Sequence, residues 1–226
     1  QKDGLDILRH TCAHIFGHAI KQLYPDVKMV IGPVIENGFY YDILSETPIT
    51  EKDLTLIENR MRKLVKKNYS IKREVVPKDH AIAIFEERKE PYKVELLKEI
   101  NEKEIIAIYH HEEYMDMCRG PHLTNTKHIK AFKLMKTSGS YWKGNSENQA
   151  LTRIYGTAWP DIGAQDAYLK SLDEAEKRDH RLLGKKLDLF HFQEESPGMV
   201  FWHDKGWTVF NLIKEFITYH LRKNSY

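Results

Sequence analysis

The N-terminal segment most restricts what this chain can fold into, because it carries two chemically different stripes at helical spacing. Three histidines, His10, His14 and His18, recur every four residues and so share one side of a helix. Pro25 is expected to end that helix. A second stripe is apolar and recurs at i, i+4, i+7, i+11 and i+15, which predicts one buried face of a helix over residues 5–24: Leu8, Cys12, Ile15, Ala19 and Leu23.

The rest of the first 160 residues mixes helix and strand patterns without a β–α–β rhythm. Helical patterns occur at residues 50–68, with Thr50 as the expected N-cap, and at residues 77–89. Residues 105–123 are predicted to form a strand followed by a loop, and residues 131–159 to form strands around a glycine-containing turn. This order predicts an α+β fold.

Changes in pattern predict three regions. Residues 1–160 form the α+β domain, residues 161–186 a charged connecting helix, and residues 187–226 the start of a second domain. The chain begins without Met and without a secretory signal, and it ends directly after an amphipathic run. We therefore expect a fragment of a longer protein.

Composition narrows the classes of function. Charged residues make up 30% and hydrophobic residues 41%, as in globular domains, and no apolar run approaches the roughly 18 residues of a membrane span. The 35 Lys and Arg nearly balance the 33 Asp and Glu, and this net charge of +2 argues only weakly for a nucleic-acid partner. The two cysteines, Cys12 and Cys118, exclude a disulfide scaffold and favour a reducing compartment.

Two short motifs carry the chemistry. His10 and His14, in HTCAH, lie one helical turn apart, and Cys118 and His122, in CRGPH, have the same spacing in a predicted loop. If the two segments meet, three imidazoles and one thiol suit a divalent metal such as zinc. Thr11 stands where the HExxH motif of metalloproteases requires Glu, so that class of enzyme is disfavoured.

Each of these residues also has a plain structural interpretation. Histidine pairs on helices are commonly solvated, or hydrogen-bonded within a core. His18 has no partner in the sequence, and we assign it to that class. Cys12 lies on the apolar stripe and is predicted to be a core residue rather than a ligand.

Longer segments resemble the editing domain of bacterial threonyl-tRNA synthetases. The similarity includes HTCAHIFGHAIKQLYPDVKMVIGPVIENGFYYD, EEYMDMCRGPH, FKLMKTSGSYWKGN and RIYGTAW, and it extends through AEKRDHRLLGKKLDLFHFQEESPGMVFWHDKGW. The paired motifs also occur in alanyl-type editing domains, but TSGSYW and IYGTAW favour the threonyl family. The resemblance implies that residues 1–160 are an editing domain, residues 161–186 a linker helix and residues 187–226 the start of a class II catalytic domain.

The resemblance implies a hydrolytic site within a ligase. The family joins threonine to its tRNA using ATP. Serine lacks only one methyl group, which is worth about 1–3 kcal/mol of discrimination, so a second site hydrolyses mischarged seryl-tRNA(Thr). ATP with Mg²⁺ and the zinc of the synthetic site are expected beyond residue 226, with no cofactor in this part. The implied partner is the acceptor end of tRNA(Thr), and no membrane is implied. The implied location is the cytoplasm. The implied homodimer forms through the catalytic domain, so this chain alone is expected to be monomeric.

Roles for individual residues follow from the resemblance and from the chemistry of ester hydrolysis. His10 and His14 are expected to position or activate the water. Lys93 is expected to stabilise the developing oxyanion or to orient the water, and Asp116 to bind the amino group or hydroxyl of the substrate. The remaining expected site residues are the pocket-lining Cys118 and His122, the substrate-contacting Tyr40 and Tyr41, and the tRNA-contacting Lys66 and Lys67.

The aromatic and basic residues among these have other interpretations. Tyr40 and Tyr41 are equally well explained as core aromatics, and Lys66 and Lys67 as a solvated helix face. If the two lysines do contact tRNA, binding is expected to be sensitive to salt.

Metal content and function class stay open at this point. Motif spacing favours a metal held by His10, His14, Cys118 and His122, whereas the threonyl-type resemblance favours a metal-free site, which we expect. Other functions are a nonenzymatic tRNA-binding or metal-holding module and an alanyl-type deacylase that acts in trans. The segment after residue 187 argues against the last, because a free-standing deacylase has no use for it.

Overall fold

A computed structural model describes residues 2–101 and 104–226. The chain divides into two compact units, Gln1–Gln165 and Asp166–Tyr226. Helices combine with antiparallel sheets, which confirms the predicted α+β class. Within the described ranges, no helix has both the length and the apolar character needed to cross a bilayer.

The first unit carries most of the regular structure. In chain order its elements are α1 (Lys2–Leu23), β1 (Lys28–Met29), β2 (Val34–Ile35), β3 (Gly38–Leu44), α2 (Glu51–Lys66), β4 (Lys72–Val76), α3 (Lys78–Glu87), α4 (Pro91–Glu99), β5 (Ile106–His111), β6 (Tyr114–Met117), β7 (Ala131–Tyr141) and β8 (Ala150–Trp159). Helix α5 (Ile162–Lys177) contains the boundary between the units.

A five-stranded antiparallel sheet lies at the centre of this unit. Its strands follow the order β1-β3-β8-β7, and β2 pairs with the start of β3. The long hairpin β7–β8 turns at Lys143 and Gly144, whose φ angles of 55° and 69° are left-handed. This confirms the turn predicted there, where glycine avoids the steric cost of positive φ.

Helices α1 and α2 cover one face of this sheet and form the main core. The apolar stripe of α1 is buried as predicted, except for the half-buried Leu23, and Cys12 is fully buried within it. Phe16 and Ile20 of α1 join Met61 of α2 and Ile154 of β8 in that cluster, and each is fully buried. One face of α1 is thereby fixed against the sheet, which leaves its histidine side to meet other elements.

A smaller three-stranded sheet, β4-β5-β6, ends just before the second motif. The sequence predicted a loop after β5, but residues 114–117 instead pair with β5 as the second strand of a hairpin. Glu112, at φ 56°, makes the tight turn between them. Burial alternates along Tyr114, Met115, Asp116 and Met117, as expected for a strand with one face against a core, but the residue types themselves do not alternate.

Helix α4 was also missed by the sequence analysis. Proline usually interrupts a helix. Pro91, however, occupies the first turn of α4, where its missing N–H costs no hydrogen bond. Lys93, Val94 and Leu97 are the buried residues of α4. The helix therefore carries one charged side chain into the interior.

The second unit contains short elements and one long helix. They are α6 (His180–Lys186), β9 (Phe190–His191), β10 (Phe201–Trp202) and α7 (Asp204–Lys223). The single helix predicted over residues 161–186 is wrong, because α5 ends at Lys177 and α6 begins at His180. Asp179 starts the new helix by accepting a hydrogen bond from the backbone N–H of Arg181 at 2.8 Å.

Candidate functional site

The two histidines of HTCAH lie on the side of α1 that does not face the main core. Their ring centroids are 5.2 Å apart in an edge-to-face arrangement. His14 is 3% exposed, whereas His10 is half-buried. The Nδ1 atom of His14 has no hydrogen-bond partner among the described residues. An unpartnered nitrogen in such a buried ring is available to a water or ligand atom.

The CRGPH segment follows β6 and brings its thiol and imidazole to the same place. The His122 ring lies 4.2 Å from that of His10 and 4.1 Å from that of His14, measured between centroids. Gly120 has a left-handed φ of 64°, and a Cβ there would lie 2.0 Å from the Tyr109 hydroxyl. The loop therefore needs glycine to bend this tightly.

Hydrogen bonds fix the tautomer of His122. Thr11 donates its hydroxyl proton to the carbonyl oxygen of Ile7 at 2.8 Å, so at 3.1 Å it accepts from Nδ1–H of His122. The other ring nitrogen, Nε2, then accepts from the Cys118 thiol at 2.9 Å. Thr11 is thus part of the site, although the sequence analysis used it only to disfavour a class of protease.

A buried ion pair forms the opposite wall. The Lys93 ammonium on α4 lies 2.6 Å from Oδ1 of Asp116 on β6, and both side chains are at most 5% exposed. Lys93 also donates to the Tyr41 hydroxyl at 3.1 Å, and that hydroxyl donates to Oδ2 of Asp116. Nε2 of His14 is 4.0 Å from the same oxygen. The pair therefore connects α4, β6 and β3 with the histidines of α1.

Burial controls the protonation of the cluster. Desolvation lowers the pKa of His10 below 6.5, although Asp116 partly offsets it. Desolvation and neighbouring imidazoles lower the pKa of His14 well below 6.5 and that of His122 to about 2. Burial, together with the negative charge of Asp116, raises the pKa of the Cys118 thiol to about 12. At neutral pH the site consists of neutral imidazoles, a protonated thiol and one ion pair.

The cluster has the composition of a metal site but the contacts of a hydrogen-bonded one. Donor atoms of His10, His14, Cys118 and His122 all lie within 4.8 Å of one another. However, the Cys118 sulfur and Nε2 of His122 are 2.9 Å apart. Around tetrahedral zinc, sulfur and nitrogen ligands at bond lengths of about 2.3 and 2.0 Å lie about 3.5 Å apart. The 2.9 Å separation is therefore that of a hydrogen-bonded pair rather than that of two zinc ligands.

The structure does not bring every predicted residue to this cluster. Tyr41 contacts it, but Tyr40 lies on the opposite face of β3, because successive residues of a strand point to opposite sides. The structure therefore does not bring Tyr40 to the cluster, and its contact with substrate stays a prediction. Lys66 and Lys67 are exposed at the end of α2. Lys67 borders a polar surface depression with Tyr69, Lys72 and Arg73.

Two further groups escaped the sequence analysis. The Tyr114 hydroxyl donates to Oδ2 of Asp116 at 3.4 Å, and its place on a strand gave no signal in the sequence. His18, which the sequence left without a partner, is buried and lies 3.0 Å from Nδ1 of His111 and 2.7 Å from the Glu113 carboxylate. These partners lie more than ninety positions away, at separations of 93 and 95, so helical spacing could not reveal them.

The Lys93–Asp116 pair gives a prediction for stability. Replacing Lys93 with Ala leaves a buried carboxylate without its cation, so we expect the free energy of unfolding to fall by about 3–5 kcal/mol. Lys143→Ala is the control, because Lys143 pairs with Glu95 and Glu99 at the surface, where such pairs contribute about 0–1 kcal/mol. Urea unfolding of both variants measures this. Equal losses for the two would contradict the importance of the buried pair.

The sequence of this chain is similar to those of threonine–tRNA ligases. Residues 106–155 match the family model described as the threonyl and alanyl tRNA synthetase second additional domain. The chain is 57% identical over 225 residues to the threonine–tRNA ligase of Prochlorococcus marinus subsp. pastoris, covering 100% of this chain and 35% of that protein. It is 54% identical over 224 residues to that of Psychrobacter cryohalolentis, covering 99% and 35%.

The aligned region is thus 35% of the length of these relatives, and it extends over nearly all of this chain. The matched domain model includes β5, β6, the CRGPH loop and β7, and so it contains half of the cluster. Over nearly its whole length the chain is therefore similar to part of these threonine–tRNA ligases, and its residues 106–155 match the second additional domain that threonyl and alanyl tRNA synthetases share.

Proposed function

We propose that the cluster hydrolyses the ester bond of seryl-tRNA(Thr), as the editing site of a threonine–tRNA ligase. One observation carries this proposal. Side chains from α1, β3, α4, β6 and the CRGPH loop converge on one place, where neutral imidazoles face a buried ammonium. Ester hydrolysis needs both kinds of group, a proton acceptor for water and a cation near the developing oxyanion.

The neutral imidazoles supply the proton acceptor. His10 is the more accessible of the α1 pair, and a lowered pKa keeps it unprotonated at neutral pH. His14 adds an unpartnered nitrogen in its buried ring. A water held between these rings would attack the ester carbonyl carbon while passing a proton to an imidazole. The carbon–oxygen bond to the ribose then breaks, and the ribose oxygen takes up a proton.

The ion pair supplies charge stabilisation and substrate contacts. Lys93 is held by Asp116 and Tyr41, so its ammonium is already in place before the negative oxygen forms. The amino group of the seryl ester carries a positive charge, and Asp116 is the buried carboxylate of the cluster that can accept a hydrogen bond from it. That contact would replace the hydrogen bond from Tyr114, which at 3.4 Å is the longest contact of Asp116 with its donors.

Cys118 and His122 act as polar lining in this proposal. The thiol has a pKa raised to about 12, so it is a poor nucleophile, and covalent catalysis through sulfur is disfavoured. Its S–H group donates to His122, whose own N–H donates to Thr11, so the sulfur lone pairs are what this pair offers, as a weak acceptor, to the ribose or to the water. No step of the proposed reaction passes through a metal ion.

The larger enzyme is part of the proposal. We assign the joining of threonine to tRNA with ATP to the parts of the ligase beyond residue 226. The Mg²⁺, the zinc of the synthetic site and the dimer contacts are proposed for the same parts. We place the protein in the cytoplasm, as the site of tRNA charging. Residues 161–186 would act as the linker and residues 187–226 as the start of the catalytic domain. Lys66 and Lys67, exposed on α2, are proposed to contact the acceptor arm of tRNA(Thr).

Two other functions make different predictions. A nonenzymatic tRNA-binding or metal-holding module would bind seryl- and threonyl-tRNA equally and release no amino acid. An alanyl-type deacylase would act on seryl esters of the alanine tRNA. The threonine–tRNA ligase names of the relatives favour the proposed substrate over the alanine tRNA.

The proposed reaction can be tested with matched tRNA substrates. We expect the chain to release serine from seryl-tRNA(Thr) and to leave threonyl-tRNA(Thr) largely intact. His10→Ala removes the accessible proton acceptor and should slow release by about 100-fold or more, as is typical for general bases. The exposed His80→Ala is the control and should keep the parent rate. Equal turnover of both esters, or none, would reject the proposal.

The lowered pKa values predict the pH dependence of this reaction. Because the acceptor works in its neutral form, the rate should stay constant as pH falls through 6.5 and should drop only below it. The measurement is serine release between pH 4.5 and 8, with the spontaneous ester hydrolysis subtracted and the fold checked by circular dichroism. A half-maximal rate above pH 6.5 would mean that the acceptor is not a buried imidazole of this cluster.

Metal content is the second chemical test. We expect the purified chain to contain far less than one zinc per molecule after dialysis, and deacylation to continue in the presence of a chelator. Cys118→Ala should leave the small amount of metal unchanged, since the thiol serves as a hydrogen-bond donor. Elemental analysis of both proteins decides this. Stoichiometric zinc that disappears in Cys118→Ala would overturn the metal-free interpretation.

A further inference from the structure

The face of the five-stranded sheet that lies opposite Tyr41 has an unusual composition. Residues paired across neighbouring strands share a face, so Tyr40, Tyr155 and Lys136 form one row across β3, β8 and β7. In the next row, Asp42 pairs with Arg153. These five residues, together with Lys133 of β7, are called the cation–aromatic face below.

The rings and the guanidinium of this face are already stacked. The centroids of Tyr40 and Tyr155 are 6.0 Å apart, and the guanidinium carbon of Arg153 lies 3.8 Å above the Tyr40 ring. The Lys136 ammonium lies 5.2 Å from the centroid of Tyr155. The tyrosine rings are only half-buried, so part of their surface is open to solvent. A flat guanidinium or phenol ring with an open side is the surface on which unstacked bases are held in RNA complexes.

A buried carboxylate holds this arrangement rigid. Asp42, 2% exposed, accepts two hydrogen bonds from Arg153, at 2.7 Å and 2.8 Å. This bidentate contact fixes the plane of the guanidinium, whose side chain remains 26% exposed. A ligand that stacks there does not have to order the arginine first, so less conformational entropy is lost on binding.

The charge of the face suits a polyanion. Lys133 lies on the same face as Tyr155. It pairs with Thr157, and Thr157 and Tyr155 share a face because they are two residues apart on β8. Lys133 and Lys136 are exposed, and Arg153 adds a third cation, whereas the carboxylate of Asp42 is already paired. Cations beside open aromatic rings can bind phosphates while the rings stack the bases.

We propose that the cation–aromatic face binds unpaired nucleotides at the 3′ end of tRNA, other than the esterified adenosine. Bases inside a duplex stack on one another and cannot reach such rings, so the ligand is single-stranded RNA. The face lies across the sheet from Tyr41 and the cluster, so it holds nucleotides that precede the reacting one. Lys133 and Lys136 contact their phosphates. This inference rests on the proposed editing function and adds a binding surface to it.

Binding of uncharged tRNA(Thr) to ring and charge variants tests the proposal. Tyr155→Ala should weaken binding of the intact tRNA by about 5- to 100-fold, the effect of losing one stacked base, while Tyr155→Phe keeps the ring and should bind like the parent. Lys136→Glu should weaken binding and should reduce the slope of log affinity against log salt concentration by about one. The exposed Lys52→Glu is the control and should change that slope less.

A tRNA that lacks its last four nucleotides separates the alternatives. Tyr155→Ala should bind this tRNA as the parent does, since the stacked bases are missing. If Tyr155→Ala binds intact tRNA at parent affinity, or loses equal affinity for both tRNAs, the proposal is wrong. No ester is present here, so this binding measurement does not depend on hydrolysis. A failure of the deacylation test therefore does not affect this one.

Discussion

The buried ion pair between Lys93 and Asp116 is the interaction on which the site depends. Removing two charges from water costs several kcal/mol for each, and here the cost is offset by a 2.6 Å contact and by further hydrogen bonds to the carboxylate. The pair joins helix α4 to the three-stranded sheet, and through Tyr41 it joins both to the five-stranded sheet. The same contacts that hold these parts together place a cation beside the histidines of α1.

Around this pair the remaining groups are neutral, and that decides which chemistry is favoured. Burial keeps His14 and His122 unprotonated and the Cys118 thiol protonated. A thiolate nucleophile would require the opposite protonation of sulfur. Neutral nitrogens near one fixed cation instead suit a reaction in which water gives up a proton while negative charge forms on oxygen.

Part of this arrangement was predictable from the sequence. The two stripes of α1 follow from helical periodicity, and the apolar one is buried as predicted. Strand alternation alone places Tyr40 and Tyr41 on opposite faces of β3. Lys93 is buried because it lies on the short helix α4. Pro91 at the start of that helix made it hard to predict from the sequence. The contact between HTCAH and CRGPH was a hypothesis, based on their residue types and on the resemblance to editing domains. No local rule fixes a contact such as that between Thr11 and His122, which lie 111 positions apart.

The central claim is that these separated segments form one pocket whose imidazoles stay neutral and meet the substrate. Nitrogen-15 NMR of the histidine rings tests it directly, with pH titration and addition of a seryl amide of adenosine that cannot be hydrolysed. The account predicts that His10, His14 and His122 titrate below pH 6.5 and that the analogue shifts their signals together. Rings that titrate at or above pH 6.5, or signals that the analogue leaves unchanged, would contradict it.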